Sequence, residues 1–364
     1  MAGEETLWSR GPHTEGKHLV LRNYLNGWLP ILGSWNGRIL FVDGFAGPGE
    51  YQDGEDGSPI IALRAFAEHA QKHVIRGEVI FLFIEEDEAR ADHLRTKVDA
   101  LRPELPENAV VEVLTDRFDA SMTAVLDALD EQSKKMAPSF VMVDPFGVSG
   151  TPMTVMERIL GNPRCELYIS FMYESINRFL STDEFAPHLD ELFGTDEWRA
   201  GLEKSGEARK RFLYGLYARR LKECGANHVV HFDLYRENRL IYAIFFATQH
   251  PKGCDLMKQA IWKVAPSGDF AFRGAKDDQL VLGVDNPDFG PLMDSLVEKF
   301  GGSEWVGIEE VRDFVASDEV EYHTGHLKKQ VLKPMELEGR IAVDEDSRTR
   351  RRTYPDGCRL RFSE

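Results

Sequence analysis

The stretch FVDGFAGPGEYQDGEDGSPIIALRAF, residues 41–66, carries the strongest indication of the fold. An apolar run ends at Asp43, a turn with Gly44, Gly47 and Gly49 follows, and an apolar helical pattern then resumes. A strand, a glycine-rich turn and a helix frame many nucleotide sites, because glycine lets the backbone approach a ligand closely. The turn contains no GKS or GKT sequence, which excludes a phosphate-binding P-loop. A tight turn without a ligand is the structural alternative.

Short apolar runs alternate with helical patterns through the first half of the chain. The predicted strands are 38–43, 78–84, 109–114, 139–144 and 165–171. Strands that alternate with helices imply a parallel sheet with helices on both faces. Two later strands, 228–235 and 239–248, flank a turn so short that they must be antiparallel. The predicted fold class is therefore α/β, a class I methyltransferase-like Rossmann sheet with a terminal antiparallel hairpin.

The remaining segments suggest a second, smaller unit. Residues 1–37 are predicted as an N-terminal helical segment, and 38–265 as the methyltransferase-like domain with a helical insertion at 172–227. Residues 266–302 resemble a linker. Two amphipathic helices, a strand, a basic turn and a last strand make 303–364 a predicted winged-helix-like domain.

Composition excludes several classes of protein. The chain has 364 residues, of which 42% are hydrophobic, and it contains no apolar run long enough to cross a bilayer. The four cysteines (Cys165, Cys224, Cys254 and Cys358) form no CxxC pair, which argues against zinc and iron–sulfur sites and favours the reducing cytoplasm. The net charge of −17 makes the chain a poor general binder of polyanions.

The basic part of the sequence lies at its C-terminus. Residues 323–364 contain ten Lys and Arg against seven Asp and Glu. Arg350, Arg351 and Arg352, with Arg348 nearby, could contact phosphate from the predicted wing. A solvated basic loop is the alternative. We expect any nucleic-acid contact to be local, with RNA favoured over DNA as the partner.

Acidic residues follow the second and third predicted strands. Glu85 comes directly after an apolar run, where a carboxylate can accept hydrogen bonds from both hydroxyls of a ribose. Glu86 better suits the start of a helix. Asp116 could accept a hydrogen bond from an adenine amino group or could be a helix N-cap, and the sequence does not separate the two roles.

The sequence FVMVDPFG, residues 140–147, is the most specific chemical motif in the chain. Asp144 ends the fourth strand, and Asp144-Pro145-Phe146-Gly147 resembles the Asp-Pro-Pro-Tyr motif of amino-group methyltransferases. It also matches the tetrapeptide of the tRNA guanine-N2 dimethyltransferases. In those enzymes the carboxylate and the proline carbonyl accept hydrogen bonds from the target amino group and align its nitrogen for transfer. An aspartate that caps a turn before proline is the structural alternative.

These motifs together resemble the three-Cys-motif partner (TcmP) family. The resemblance rests on "PHT..KH" (12–18), "FVDGFAGPGEY" (41–51), "GSPIIAL" (57–63), "FIEED" (83–87), "VDPFG" (143–147), "INRF" (176–179), "HPKGCDLMKQAIWKV" (250–264) and "YPDG" (354–357). The first half is also similar to ribosomal-RNA adenine-N6 methyltransferases. One departure is that Gly147 stands where those enzymes place a base-stacking tyrosine.

The resemblance implies a cofactor, a transfer site and a partner. It implies that Gly47, Gly49 and Glu85 bind S-adenosylmethionine. Asp43, Gly44 and Asp116 are further predicted cofactor-binding residues. It also implies a neighbouring radical-type protein with three cysteines.

The resemblance further places Asp144 at the transfer site, with Lys17 close to it. Lys17 and His18 belong to a predicted helix whose apolar face must pack, so a structural role is the alternative for both. Asn177 and Arg178 follow the fifth strand and are expected to border the same pocket.

Three functions compete. The first is an S-adenosylmethionine-dependent N-methyltransferase that acts on an exocyclic amino group of a nucleobase. The second is a non-catalytic binding partner that uses the same fold and the winged helix. NAD-dependent oxidoreduction is disfavoured by the terminal hairpin and by Pro48 in the turn.

Overall fold

The computed structural model describes residues 6–9, 11–236, 239–268, 270–273, 287–302 and 304–363. The predicted turn residues Glu237 and Asn238, and residues 274–286 of the predicted linker, lie outside these ranges. Within the described residues, no helix has the length and apolar character needed to cross a membrane.

The main unit contains an eight-stranded sheet in the order β3-β2-β1-β4-β5-β7-β6-β8. Its strands are β1 (Arg38–Asp43), β2 (Glu78–Glu85), β3 (Ala109–Thr115), β4 (Ser139–Val143), β5 (Cys165–Phe171), β6 (His228–Arg236), β7 (Arg239–Thr248) and β8 (Ala271–Phe272). β1 to β5 pair in parallel, whereas β7 runs antiparallel to both β5 and β6. The chain therefore has an α/β fold with the strand order of class I methyltransferases, and the predicted terminal hairpin is confirmed. β8, which pairs in parallel with β6, was not predicted.

Helices cover both faces of this sheet because the strands are apolar on both sides. One core cluster joins the sheet to α1 (Pro12–Gly33), α2 (Ser58–Ala67), α3 (Glu88–Leu101) and α9 (Pro251–Val264). The other joins it to α4 (Phe118–Glu131), α5 (Met153–Leu160), α6 (Tyr173–Phe179), α7 (Ala186–Phe193) and α8 (Gly206–Glu223). The aromatic residues of the predicted helical insertion are largely core: Phe193, Trp198 and Tyr217 are buried, and Phe185 and Phe212 pack against this second cluster.

The C-terminal residues form a third core cluster with a small sheet of their own. Its helices are α10 (Gly290–Phe300), α11 (Ile308–Ala316), α12 (Thr324–His326) and α13 (Lys333–Leu337), with a π-helical stretch (Leu327–Leu332) between the last two. Its strands are β9 (Val306–Gly307), β10 (Ile341–Val343) and β11 (Arg359–Phe362), in the antiparallel order β10-β11-β9. The winged-helix interpretation of this unit stays a prediction.

Two details of the C-terminal prediction are wrong. The predicted linker contains α10, whose apolar residues Leu292, Leu296 and Phe300 recur every four positions and are buried. That spacing places them on one helix face. The first amphipathic helix, predicted over residues 304–317, begins only at Ile308, because Val306 and Gly307 form β9 and pair with β11.

A buried lysine connects this unit to the main one. Lys258 of α9 has no exposed surface, and its Nζ donates to the backbone carbonyls of Val315, Ser317 and Val320 at 2.6–3.1 Å. Burial lowers the pKa of Lys258 below its ordinary value. Three charge-assisted hydrogen bonds offset the cost of burying this group.

Candidate active site

The predicted site residues gather where the parallel strands β1, β2 and β4 end, the edge at which open α/β sheets bind ligands. Two cavities, of about 750 Å³ and 330 Å³, open there. Phe45, Pro145 and Phe146 line both. The larger cavity has an acidic wall that includes Glu85, Glu86, Asp87, Asp116, Asp119 and Glu191.

The glycine turn lies in the wall of the smaller cavity. Gly47 and Gly49 have φ values of +63° and +85°, a backbone conformation that favours glycine. A Cβ atom on Gly49 would lie 2.7 Å from Cδ1 of Leu94, and one on Gly47 would lie 3.0 Å from the Trp8 ring. The backbone conformation therefore favours glycine at these two positions, and a side chain at either would also crowd Leu94 or Trp8.

Glu85 is buried and connects the glycine turn to the end of β2. Its Oε2 accepts a hydrogen bond from the backbone N–H of Gly47 at 2.8 Å, and its Oε1 accepts one from Asp87 at 3.0 Å. Nη1 of Arg90 lies 4.0 Å from the same Oε1. Glu85 also lines the larger cavity, and a carboxylate that accepts two hydrogen bonds can accept more. Glu86 is not at the helix start, because α3 begins at Glu88 with Asp87 as its N-cap.

Asp116 also lines the larger cavity but is not the N-cap of α4. That position is occupied by Arg117. Asp116 accepts hydrogen bonds from the backbone N–H of Arg117 at 2.8 Å and from Oγ of Ser121 at 2.9 Å. The N-cap alternative is therefore wrong, and a ligand-facing role stays a prediction.

Asp43 is a fully buried carboxyl at the end of β1. Its Oδ1 accepts a hydrogen bond from Phe45 at 3.2 Å, whereas Oδ2 has no hydrogen-bond partner among the described residues. Burial raises the pKa of Asp43 to about 6, and the charge of Asp144 adds to this shift. The buried side chain of Asp43 thus stabilises the start of the glycine turn through its hydrogen bond with Phe45.

Lys17 and Asp144 form an ion pair in the smaller cavity. Nζ of Lys17, which α1 supplies, donates to Oδ2 of Asp144, the residue directly after β4. Burial alone would lower the pKa of Lys17, but the charge of Asp144 raises it above its ordinary value. Lys17 is further anchored by its backbone carbonyl, which accepts a hydrogen bond from the Tyr168 hydroxyl at 3.0 Å.

The second carboxylate oxygen of Asp144 is available. In the described part of the chain, no hydrogen bond to Oδ1 of Asp144 is present, and its side chain retains 23% of its exposure. Asp144 therefore has one oxygen fixed by a cation and one free to accept a hydrogen bond at the cavity.

An aromatic pair lies beside Asp144. Phe146 is 70% exposed, and its ring centroid is 4.8 Å from that of Trp8. The guanidinium of Arg90 lies 4.4 Å from the Trp8 ring. Trp8 was not predicted as a site residue. It lies in a polar N-terminal segment, and no local sequence pattern indicates that it packs on the glycine turn. Tyr51 and Tyr242, which also line the smaller cavity, were missed as well.

Several predicted residues are engaged elsewhere. Asn177 and Arg178, both in the described part of the chain, line neither cavity and instead contact Arg209 and Glu174. Arg348 is buried and pairs with Glu336 and Glu345, so it is not free to meet phosphate as predicted.

Three further observations concern the basic turn near the C-terminus, the cysteines and metal-ligating side chains. Arg350, Arg351 and Arg352 are exposed. All four cysteines are free and buried. Among the described residues there is no group of three or more His, Cys, Asp or Glu side chains that could hold a metal ion.

Comparison with known proteins gives only distant structural likenesses. No protein-family model matches the chain, and no curated protein matches it. An O-methyltransferase from Bacillus cereus in complex with SAH is similar at 15% identity, over 62% of this chain and 80% of that one, with a TM-score of 0.31. The METTL16 MTase domain is similar at 13% identity, over 62% and 66% of the two chains, with a TM-score of 0.29. A human methyltransferase 10 domain containing protein reaches 14% identity over 63% and 82%, with a TM-score of 0.27. Membership of the three-Cys-motif partner family stays a prediction.

Proposed function

We propose that this protein is an S-adenosylmethionine-dependent N-methyltransferase that acts on an exocyclic amino group of a nucleobase, in RNA more than in DNA. The observation that carries the proposal is Asp144. Its Oδ2 is held by the buried Lys17, and its Oδ1 accepts no hydrogen bond from the described residues, at a cavity lined by the glycine turn. This arrangement suits a group that must accept a hydrogen bond from an amino N–H and hold the nitrogen in place.

The residues at the sheet edge fit the cofactor. Gly47 and Gly49 present backbone without a side chain to the smaller cavity, and Glu85 can accept further hydrogen bonds from ribose hydroxyls. Acidic residues outnumber Arg90 and Arg117 in the lining of the larger cavity, which favours a positively charged ligand, and Asp116 is the proposed acceptor for an amino group. When bound, S-adenosylmethionine supplies an activated methyl group on a sulfonium.

The amino group is oriented by the chain's own residues. Oδ1 of Asp144 and the carbonyl of Pro145 are the two acceptors, and both residues line the smaller cavity. Lys17 fixes the carboxylate and compensates its charge. The exposed ring of Phe146, next to Trp8, offers an apolar face to a planar base despite Gly147 at the following position.

The partner proposals rest on the surface and on the sequence resemblance. The exposed Arg350, Arg351 and Arg352 are the proposed contact with nucleic-acid phosphate. A three-Cys-motif radical-type protein is the proposed protein partner, and the cytoplasm is the proposed location.

Binding of the cofactor is the first test of the proposal. Calorimetry should show that the wild type binds S-adenosylmethionine but not NAD. Replacing Glu85 with Ala should weaken binding by about 1–3 kcal/mol, because the variant lacks a charged hydrogen-bond acceptor. Gly49→Val should abolish S-adenosylmethionine binding, because a side chain at this position would distort the glycine turn. Glu112→Ala, at an exposed glutamate on β3, is the matched control and should bind normally.

Methyl transfer is the second test. Radiolabelled cofactor should label the RNA fraction of a cell extract more than its DNA or protein fractions. Preferential labelling of protein would overturn the nucleobase assignment. Cofactor binding without label in any fraction would favour the non-catalytic alternative.

A further inference from the structure

A third cavity opens at the opposite end of the strands from Asp144. Its volume is about 650 Å³, and it lies between α1, α9 and the sheet, where β5 begins and β7 ends. Tyr24, Trp28, Ile31, Leu32 and Leu256 contribute apolar surface to it. None of the proposed transfer residues lines this cavity, so the two sites are separate.

A buried carboxyl belongs to the lining of this cavity. Glu166, the second residue of β5, is 7% exposed. Its Oε2 accepts a hydrogen bond from the Tyr24 hydroxyl at 2.6 Å, and its Oε1 accepts one from Oγ1 of Thr248 at 2.8 Å. No cation pairs with it in the described part of the chain. Burial raises the pKa of Glu166 to about 7, and the hydrogen bonds from Tyr24 and Thr248 oppose that shift.

A structural role alone accounts poorly for this carboxyl. Connecting α1 to β7 through two hydroxyl groups requires only neutral acceptors, which are less costly to bury than an ionisable acid. Glu166 still has about two unused acceptor positions beside the cavity. A buried acid with a shifted pKa in a cleft is a recognised indication of a binding site.

The mouth of the cavity carries the opposite charge. Lys252, in the first turn of α9, is exposed, and within the described residues its Nζ makes no hydrogen bond or ion pair. The guanidinium of Arg164, also at the mouth, is engaged with the Trp35 ring at 4.4 Å and with Asn36. Lys252 is therefore the cation that is available to a ligand.

We propose that this cavity binds a small zwitterion of the amino-acid type with an apolar or aromatic body. The ammonium group of the ligand donates to Glu166, and its carboxylate pairs with Lys252. The apolar surface of Trp28, Ile31 and Leu256 covers the body. The charged ends of such a ligand complement the acid inside and the cation outside.

Three probes that share one aromatic body separate the parts of this proposal. They are L-phenylalanine, 2-phenylethylamine, which lacks the carboxylate, and 3-phenylpropanoate, which lacks the ammonium group. Calorimetry on the full chain without cofactor should show the tightest binding for L-phenylalanine, by about tenfold over either analogue, because each analogue lacks one charged hydrogen bond. Equal affinity for all three probes, or no binding of any, would overturn the proposal.

Two variants test which residue binds each charged group of the ligand. Lys252→Met should weaken L-phenylalanine about tenfold and leave 2-phenylethylamine unchanged. Glu166→Gln should weaken both amine-bearing probes and leave 3-phenylpropanoate unchanged. Lys134→Met, at an exposed lysine after α4, is the control. Lys252 is on the surface, so its variant remains informative if Glu166→Gln folds poorly, and unchanged L-phenylalanine binding in Lys252→Met would contradict the proposal. S-adenosylmethionine affinity should be unaltered in Lys252→Met, so the outcome is independent of the proposed transfer reaction.

Discussion

The parallel sheet presents one carboxyl group to a cavity at the carboxyl end of its strands and another at the amino end. The two carboxyl groups have different kinds of partner. Asp144, at the carboxyl end of β4, is paired with the buried cation of Lys17. Glu166, at the amino end of β5, has the hydroxyl groups of Tyr24 and Thr248 as partners. Helix α1 contributes to both, since it carries Lys17 in its second turn and Tyr24 about two turns later.

The difference determines what each acid can do. A carboxylate that is fixed and compensated by a lysine stays in one orientation and can hold a substrate nitrogen in place. A buried carboxyl without a cation exchanges its proton near neutral pH, as the pKa of about 7 for Glu166 indicates. We infer that Asp144 is suited to position a substrate nitrogen and that Glu166 is suited to bind a ligand reversibly.

The largest expected effect is on methyl transfer at Asp144. Asp144→Asn keeps an oxygen that can accept a hydrogen bond but removes the charge that Lys17 compensates. Transfer should fall by about 100-fold or more, because the reacting nitrogen is no longer held in line. Cofactor affinity should change little. Steady-state transfer rates and calorimetry on the same preparation provide the check, and an unchanged rate would exclude Asp144 from the reaction.

An intermediate effect is expected on the pH dependence of stability at Glu166. The pKa of Glu166 is about 7 in the folded protein against an ordinary 4.5, so the folded state binds the proton more tightly. The stabilisation is complete below pH 4.5 and disappears as the pH rises through 7. Between pH 8 and pH 5 the wild type should gain about 2–3 kcal/mol in the free energy of unfolding relative to Glu166→Gln.

Urea unfolding of both proteins at the two pH values measures this difference. Asp43, whose raised pKa acts in the same direction, is present in both proteins and cancels. An equal gap in stability at pH 5 and pH 8 would show that Glu166 does not titrate in this range.

The smallest effect is expected at the basic turn of the C-terminal unit. Reversing the charge of Arg350 and Arg351 should weaken RNA binding a few-fold. The slope of log affinity against log salt should become shallower by about 0.7–0.9 for each phosphate that the turn no longer neutralises. L-Phenylalanine binding at the Glu166 cavity should not change. Arg102→Glu, at an exposed arginine after α3, serves as the control. A slope that is identical in all three proteins would assign this turn to another role.

Much of the architecture was predictable, because it depends on patterns that a sequence displays directly. The apolar runs of β1 to β7 and the positions of Gly47, Gly49 and Asp144 follow from local sequence. Helix α10 was missed because its apolar residues lie four apart within a polar segment. Arg348 was misjudged because its burial depends on Glu336 and Glu345, which only the folded unit brings to it.

The parts of the sites that could not be predicted depend on long-range contacts. Trp8 reaches the glycine turn from the N-terminal segment, and Glu166 meets Tyr24 across 142 positions of sequence. No local pattern encodes such contacts. The proximity of Lys17 to Asp144 was expected only from a family resemblance, and the structure brings the two together.

The most direct test of the account is a double-mutant cycle on the Lys17–Asp144 pair. Asp144→Ala leaves a buried cation without its partner and should lower the free energy of unfolding by about 3 kcal/mol. Adding Lys17→Met removes that cation, so the double variant should recover most of its stability. The account predicts that methyl transfer in the double variant stays as low as in Asp144→Ala alone, because the acceptor for the amino group is still missing. Recovery of transfer together with stability would contradict it and would reduce the pair to a structural ion pair.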